Sequence, residues 1–565
     1  MSGILILILS GVCLTAAYLF YGRYLAKKWG IDPHRKTPAH EFNDGMDYVP
    51  TRKAIVFGHH FATIAGAGPI NGPIVAIMFG FGWVPVLLWI LIGGILIGAV
   101  HDFAAMYASV KNKGRTIGYV IELYIGKTGK RLFMVFVWLF TILIIAAFAD
   151  IAAETFNGYT SEGEKIAANA SVVTTSILFM VVAIAFGFYI RTKPQNMPLI
   201  IVANVLLALC IVLGLWLPIF GTKDFWLYFV FGYIFVAAVT PVWVLMQPRD
   251  FLNSFLLLGT MVSAIVGIFV TNPTIEVASF AGFAVEFKGN VNYLFPILFV
   301  TVACGAVSGF HALAASGTAS KQIDNEQDML PVSFGAMLIE SMLAVIALIA
   351  VSAIAIGGII PSDTADKGPP AIFAEAVAGF LTGIGLPANI VYTLIALAIS
   401  AFVLTTLDSV ARIGRLAVQE LFMTDEKPST LVKILSNKYF ATTITLGPGY
   451  LLATHGYQNI WSLFGSANQL LAALTLITCA VFLKKTERGG TMLYIPFGFM
   501  ILVTFSALGL NIYKLLSKLP NNFNVTADGT QLFFAVLLSA LGVVVAVRGI
   551  GALRDKKTES NRPAL

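Results

Sequence analysis

The chain has 565 residues, 58% hydrophobic and only 12% charged, with a mean hydropathy of +0.85, which excludes an ordinary soluble domain and fits a polytopic membrane protein. Its net charge of +7 is spread too widely for a nucleic-acid-binding patch, so no nucleic-acid partner is expected. The four cysteines (Cys13, Cys210, Cys304, Cys479) lie scattered in apolar segments and form neither a disulfide framework nor a metal motif.

Hydropathy predicts about 15 transmembrane helices, centred on 3–22, 54–80, 84–108, 132–156, 171–190, 199–219, 226–246, 252–271, 293–319, 332–358, 388–411, 439–455, 460–482, 492–513 and 530–547. The first lacks a basic leader and runs straight into Arg23, Lys27 and Lys28, so it reads as a membrane helix rather than a cleaved signal. The short 439–455 and the stretch 371–382, readable as a re-entrant or surface helix, are the weakest assignments. An outside N-terminus places every Lys and Arg on the cytoplasmic side except Lys165, Lys223, Lys288, Lys367, Lys514 and Lys518. The C-terminus is then cytoplasmic, with a short basic tail over 548–565.

The second span, 54–80, is apolar enough to cross a bilayer, yet Gly66, Gly68, Pro69, Gly72 and Pro73 crowd its middle. Pro removes a backbone donor and Gly is a poor helix former. Backbone groups freed in hydrocarbon need partners, and secondary transporters use such broken helices to hold substrate and ion near the midplane. A packing kink is the structural alternative. His59, His60 and Asn71 flank the break and favour a site, with the unwound stretch expected at 66–73. The ninth span repeats the pattern G-x-H-x5-G of Gly58–His60–Gly66 as Gly309–His311–Gly317, with its break expected at 308–317. Second and ninth spans are an odd number of crossings apart, so they run in opposite directions, as an inverted repeat requires. The organisation expected is an extra helix and basic loop (1–53), a five-helix half (54–219), two connecting helices (220–292), an inverted five-helix half (293–482) and two extra helices with a basic tail (483–565).

Ionisable groups inside spans are costly and usually face the bundle interior. His101-Asp102 lies in the third span, and Asp102 has a structural candidate partner in the basic loop 111–131. Asp150 and Glu154, one turn apart in the fourth, read as structural; Glu340 lies in the tenth. The eleventh span carries Leu404-Thr405-Thr406-Leu407-Asp408-Ser409, then Arg412 and Arg415. Asp408 and Arg412 are spaced to pair on one face. Thr405, Thr406 and Asp408 are alternatively ligands for a coupling cation, with hydroxyl oxygens suited to Na⁺ and the carboxylate suited to H⁺. In the thirteenth span, Asn468 and Gln469 need buried partners: interhelical hydrogen bonds in one reading, substrate in the other. His311 is placed to bind an anion or relay a proton, or to be a satisfied packing histidine. The substrate-binding candidates are His60, Gly66, Gly68, Asn71, Ser308, Gly309, His311, Asn468 and Gln469.

The segments FGHHFATIAGAGPINGP, LIGGILIGAVHDFAAMYASVKNKGRTIG, SGFHALAASGTASKQI, TTLDSVARIGR and IWSLFGSANQLLAAL together resemble the carbon starvation protein A family, in order and from residue 57 to about 475. The resemblance implies a bacterial inner-membrane transporter of short peptides linked to carbon starvation or, alternatively, a proton-coupled symporter of pyruvate or another small carboxylate. It also implies the all-α, five-plus-five inverted-repeat core of the amino acid–polyamine–organocation transporters, with a broken first helix in each half. TTLDS resembles the S/T-S/T-x-D-S run of sodium–solute symporters, which implies an ion-coordinating role for Thr405 and Thr406. Well-known members are longer, so this chain resembles a shorter branch. The expectation is a cation-coupled importer, not an enzyme, with H⁺ or Na⁺ as coupling ion, no other cofactor, no transition metal and an unassigned oligomeric state. An intramembrane enzyme built on His59, His60 and Asp102, or a nutrient sensor, are the rivals from other classes. No GxxxxGK[ST] nucleotide-binding motif is present.

Overall fold

The computed structural model describes residues 1–45, 47–160, 162–192, 197–240, 242–287, 290–356, 360–361, 368–422, 430–519 and 523–555. Lys288, Lys367 and most of the basic tail, all used in the topology reading, lie outside them. Helix α1 (Gly3–Trp29) is followed by the pair α2 (Lys53–Ile64) and α3 (Gly68–Met78), then α4 (Trp83–Lys111), α5 (Ile117–Tyr124) and α6 (Lys127–Phe156). Next come α7 (Ala167–Thr192), α8 (Met197–Trp216), α9 (Lys223–Val239) and α10 (Val242–Thr271). After a β-hairpin, the chain forms helical turns at Leu294–Leu298 and Phe299–Thr301, then α11 (Phe310–Gly317), α12 (Ala336–Ile354) and α13 (Pro369–Thr382). It closes with α14 (Ala388–Phe422), α15 (Lys438–Ala453), α16 (Tyr457–Lys485), α17 (Tyr494–Ser517) and α18 (Ala527–Arg554).

Among the described residues, 11 helices are long and apolar enough to cross a membrane, against about 15 expected. Three of the four expected spans missing from that set have physical reasons. Helix α9 has 17 residues and α15 has 16, so each is only about 25 Å long against a hydrocarbon core of about 30 Å. The ninth span is interrupted, and α8, although 20 residues long, is represented among the fully described residues by Val205–Trp216 alone. The all-α expectation also needs correction. Ala284–Phe287 (β1) pairs antiparallel with Asn290–Tyr293 (β2), placing Ala284 opposite Tyr293.

Burial sorts the helices. The apolar stretch of α16 is entirely buried and that of α2–α3 is 89% buried, whereas α1 and α17 bury a third of theirs. Leu5, Ile8, Leu9, Val12 and Phe20 of α1 are exposed apolar groups, as helices facing lipid tails require. Buried polar residues include several on α16 and the two interrupted helices. Stretch 371–382 falls in α13, which is mostly buried and packs on α3, α10, α12 and α14, so it is not a surface helix. Tyr107, whose hydroxyl donates to Trp29 O at 2.6 Å, and Arg488, which donates to the same carbonyl at 2.5 Å, tie the end of α1 to α4 and to the turn after α16.

Candidate functional site

The first interruption is short. Ala65 leaves the helix (φ −79°, ψ 57°), and helix resumes at Gly68. Pro69 stands in the first turn of α3, where its missing N–H would have had no partner. Ile70 N and Asn71 N both donate to Ala67 O, restarting the helix at once. The expected unwound stretch 66–73 thus contracts to 65–67, and Gly72 and Pro73 are helical. Gly68 is needed for close approach: a Cβ there would lie 2.3 Å from Cys304 Sγ and 2.5 Å from Cys304 Cβ. The first interruption is therefore pressed directly against the second.

The second interruption covers 302–309 rather than 308–317, because Phe310–Gly317 is helix α11. Its freed backbone groups have identifiable partners. Gln469 Nε2 donates to Phe299 O at 2.6 Å, and Trp89 Nε1 donates to Val302 O at 3.1 Å. Trp461 Nε1 donates to Thr301 O at 3.3 Å. Asn468 Oδ1 accepts from Phe310 N at 3.0 Å, and its Nδ2 donates to Ser308 Oγ at 3.1 Å. Gly309 N donates to Asn468 O at 3.1 Å, and a Cβ at Gly309 would sit 2.3 Å from that oxygen. Asn468 and Gln469 thus make the interhelical hydrogen bonds of the structural reading, holding the break open.

A chain of buried ionisable groups runs beside this break. Asp102 Oδ1 is 2.8 Å from His101 Nδ1, and Asp102 Oδ2 is 2.8 Å from His311 Nδ1. His311 Nε2 is in turn 3.2 Å from Glu340 Oε2, and Asp102, His101, His311 and Glu340 are all fully buried. Asp102 therefore finds its partners in two histidines, not in the basic loop 111–131.

The coupling-ion candidates belong to a second cluster. Arg249 Nη1 pairs with Asp408 Oδ2 at 2.5 Å, and Arg249 Nη2 donates to Thr405 Oγ1 at 3.2 Å. Tyr233 OH donates to Asp408 Oδ2 at 2.7 Å, and Asn253 Nδ2 donates to Thr405 Oγ1 at 2.7 Å. His59 Nδ1 lies 3.7 Å from Asp250 Oδ2. The Asp408–Arg412 pairing is not formed: Arg412 donates to the carbonyls of Ala237 and Thr240 at the end of α9. Sequence reasoning missed Arg249 because Gln247-Pro248-Arg249-Asp250 reads as a loop. It lies within α10, with Arg249 only 2% exposed. A cue was available in an adjacent opposite-charge pair between two apolar runs.

All the candidate residues are buried. Ser308, Gly309, Asn468 and Gln469 are brought together at the second break, while His311 joins the ionisable chain. Thr405 and Asp408 share Arg249. Among the described residues Thr406 Oγ1 has no hydrogen-bond partner, and it faces Gly66, where a Cβ would lie 2.5 Å from it. His60 Nε2 and both polar atoms of the Asn71 amide are also buried without hydrogen-bond partners among the described residues. Asp150 and Glu154 make structural pairs, each 2.9 Å from Lys223 Nζ. Burial alone would lower the Lys223 pKa, but Glu154 and Asp150 outweigh it and hold the ammonium above its ordinary value.

A cavity of about 1150 Å³ lies elsewhere, among Glu154, Asn157, Lys223, Asp224, Tyr392 and Ala396. None of the candidate residues lines it. Its wall reaches Ile151, one turn along α6 from Phe148, whose ring carbon would be 3.3 Å from a Cβ at Gly66. Phe148 thus touches the first break one helical turn from the wall of this cavity.

A profile of the carbon starvation protein CstA family matches residues 2–362 and 360–507. The peptide transporter CstA of Escherichia coli (strain K12) is 33% identical, over 98% of this chain and 91% of its own. The peptide transporter CstA of Bacillus subtilis (strain 168) is 32% identical, over 86% of each chain. The pyruvate/proton symporter BtsT of E. coli is 30% identical, over 91% of this chain and 82% of its own. Among solved structures, a manganese transporter from Eremococcus coleocola matches with TM-score 0.51 and 11% identity, over 91% of this chain and 99% of that one. That likeness concerns the fold alone.

Proposed function

Since this chain belongs to the carbon starvation protein CstA family, we propose that it is a cation-coupled secondary transporter importing short peptides across the bacterial inner membrane, with pyruvate-like carboxylates as the second substrate class. The observation that carries the reading is the contact of two interrupted helices, Gly68 against Cys304, in a buried zone with unpartnered polar atoms on His60, Asn71 and Thr406. A ligand there finds groups that already lack partners, and an unmade buried hydrogen bond is costly.

In this reading the two five-helix halves, 54–219 and 293–482, form an inverted repeat and rock around the breaks. The N-terminus lies outside, so the 1150 Å³ cavity opens outward, with Phe148 one helical turn from its wall and against the first break. The Trp29–Tyr107–Arg488 end then faces the cytoplasm. The coupling ion is H⁺ in preference to Na⁺, because Arg249 already supplies a positive charge to Thr405 and Asp408. The relatives named for peptide and for pyruvate/proton transport support both substrate arms.

Uptake into proteoliposomes tests the reading, with labelled dialanine and labelled pyruvate offered separately under an inward H⁺ gradient, an inward Na⁺ gradient, or neither. The expected result is concentrative uptake of one solute under the H⁺ gradient. Absence of uptake of both, in protein that elutes as a folded species, would overturn the substrate assignment.

A further inference from the structure

The ionisable chain beside the second break has features that helix packing does not require. Glu340 on α12 is completely buried, and neither of its carboxyl oxygens has a hydrogen-bond partner among the described residues. Its approach to His311 Nε2, 3.2 Å, is an ion-pair distance without hydrogen-bond alignment. A buried carboxylate held this way is poorly supported, since desolvation outweighs a single misaligned partner. Asp102 is the opposite case, with one histidine nitrogen at 2.8 Å on each oxygen. Two carboxyls on the two sides of one imidazole thus have unequal support. With His311 charged and both carboxyls ionised, the chain holds one net negative charge in a fully buried site, and a single proton neutralises it.

We infer that Glu340, facing His311 beside the second break, is the site that takes up and releases the transported proton. This rests on the transport reading above and adds to it the identity of the coupling group. The step is a simple protonation. A proton from water forms an O–H bond on a Glu340 oxygen, and the same bond breaks when the proton leaves to water on the other side. Other groups face the pair from neighbouring elements. His101 and Asp102 face it from α4, His60 from α2 within reach of the charges on Asp102 and His311, and Cys304 from the break itself beside Glu340. None of the non-acidic ones offers Glu340 a hydrogen bond. His311 is the second residue of α11, the helix that restarts after the break, whereas Glu340 is in the continuous α12. Any shift of α11 changes the His311–Glu340 distance, so proton occupancy and the position of the break are linked.

Infrared difference spectroscopy of the full-length protein in detergent, between alkaline and acidic pH and with no substrate added, tests the assignment. The wild type should show a protonated-carboxyl band that is lost in Glu340→Gln. The pH at which it appears should shift by about one unit or more in His311→Gln and not in the distant control His40→Gln. The same band in Glu340→Gln as in wild type would overturn the proposal. If Glu340→Gln does not elute as a folded species, an unshifted band in His311→Gln overturns it. In proteoliposomes under an inward H⁺ gradient, Glu340→Gln should lose concentrative uptake of dialanine or pyruvate. A wild type that accumulates neither counts against the transport reading alone, because the infrared measurement needs no solute.

Discussion

Gly68→Ala tests the claim that the two breaks are pressed together. The new Cβ would lie 2.3 Å from Cys304 Sγ and 2.5 Å from Cys304 Cβ, whereas ordinary contacts begin at 3.4 Å. About 1 Å of separation must be found, and Cys304 Cβ is tied to backbone that Asn468 and Trp89 hold through neighbouring residues. Overpacking of this kind costs about 1–3 kcal/mol. Cys304→Gly removes both clashing atoms and should cost about 1–2 kcal/mol alone through lost packing. The double variant should then be more stable than the sum of the singles by about 1–3 kcal/mol. Cys304→Ala should rescue much less, because its Cβ remains. Equilibrium unfolding in mixed detergent micelles measures each corner of the cycle. Additive single effects, or equal rescue by Cys304→Ala, would refute the contact between the breaks.

Arg249→Met should destabilise the protein by about 3–5 kcal/mol, since it leaves Asp408 charged and buried without its ion partner. Arg249→Met with Asp408→Leu should regain most of that loss in the same unfolding assay, and a double variant no better than the single would contradict the pairing. Lys223 is held above its ordinary pKa of 10.5 chiefly by Glu154 and Asp150 against burial. Its contribution is therefore complete below pH 10.5 and is lost as pH rises through the raised value. The Tm gap between wild type and Lys223→Met should narrow only above that pH, and a gap closing near neutrality would contradict the assignment.

The types of residue at the site were legible in the sequence, but their partners were not. Gly and Pro marked the first interruption and the repeated Gly–His pattern the second, yet not their limits, because Pro69 is tolerated in a first helical turn and α3 restarts around it. The need of Asn468 and Gln469 for partners could be read, but not that Phe299 and Phe310 would supply them. Asp408 had a local partner at the right spacing in Arg412. Arg249, more than 150 residues away in the chain, took its place because α10 buries it against α14, while Arg412 reaches the end of α9. The same holds for Asp102 and His311, joined across 209 residues. Periodicity reports which face is buried, not which distant helix covers it. The β-hairpin was missed because its strands have only four residues each among long apolar runs.

The central claim is that entry of an organic solute is tied to entry of a proton. The direct test is the pH outside lightly buffered proteoliposomes, recorded when dialanine or pyruvate is added without any imposed ion gradient and with the membrane potential clamped. The account predicts alkalinisation of the medium in proportion to the solute that enters, unaffected by replacing Na⁺ with choline and absent in Glu340→Gln. Solute entry with no pH change, or entry that requires Na⁺, would contradict it.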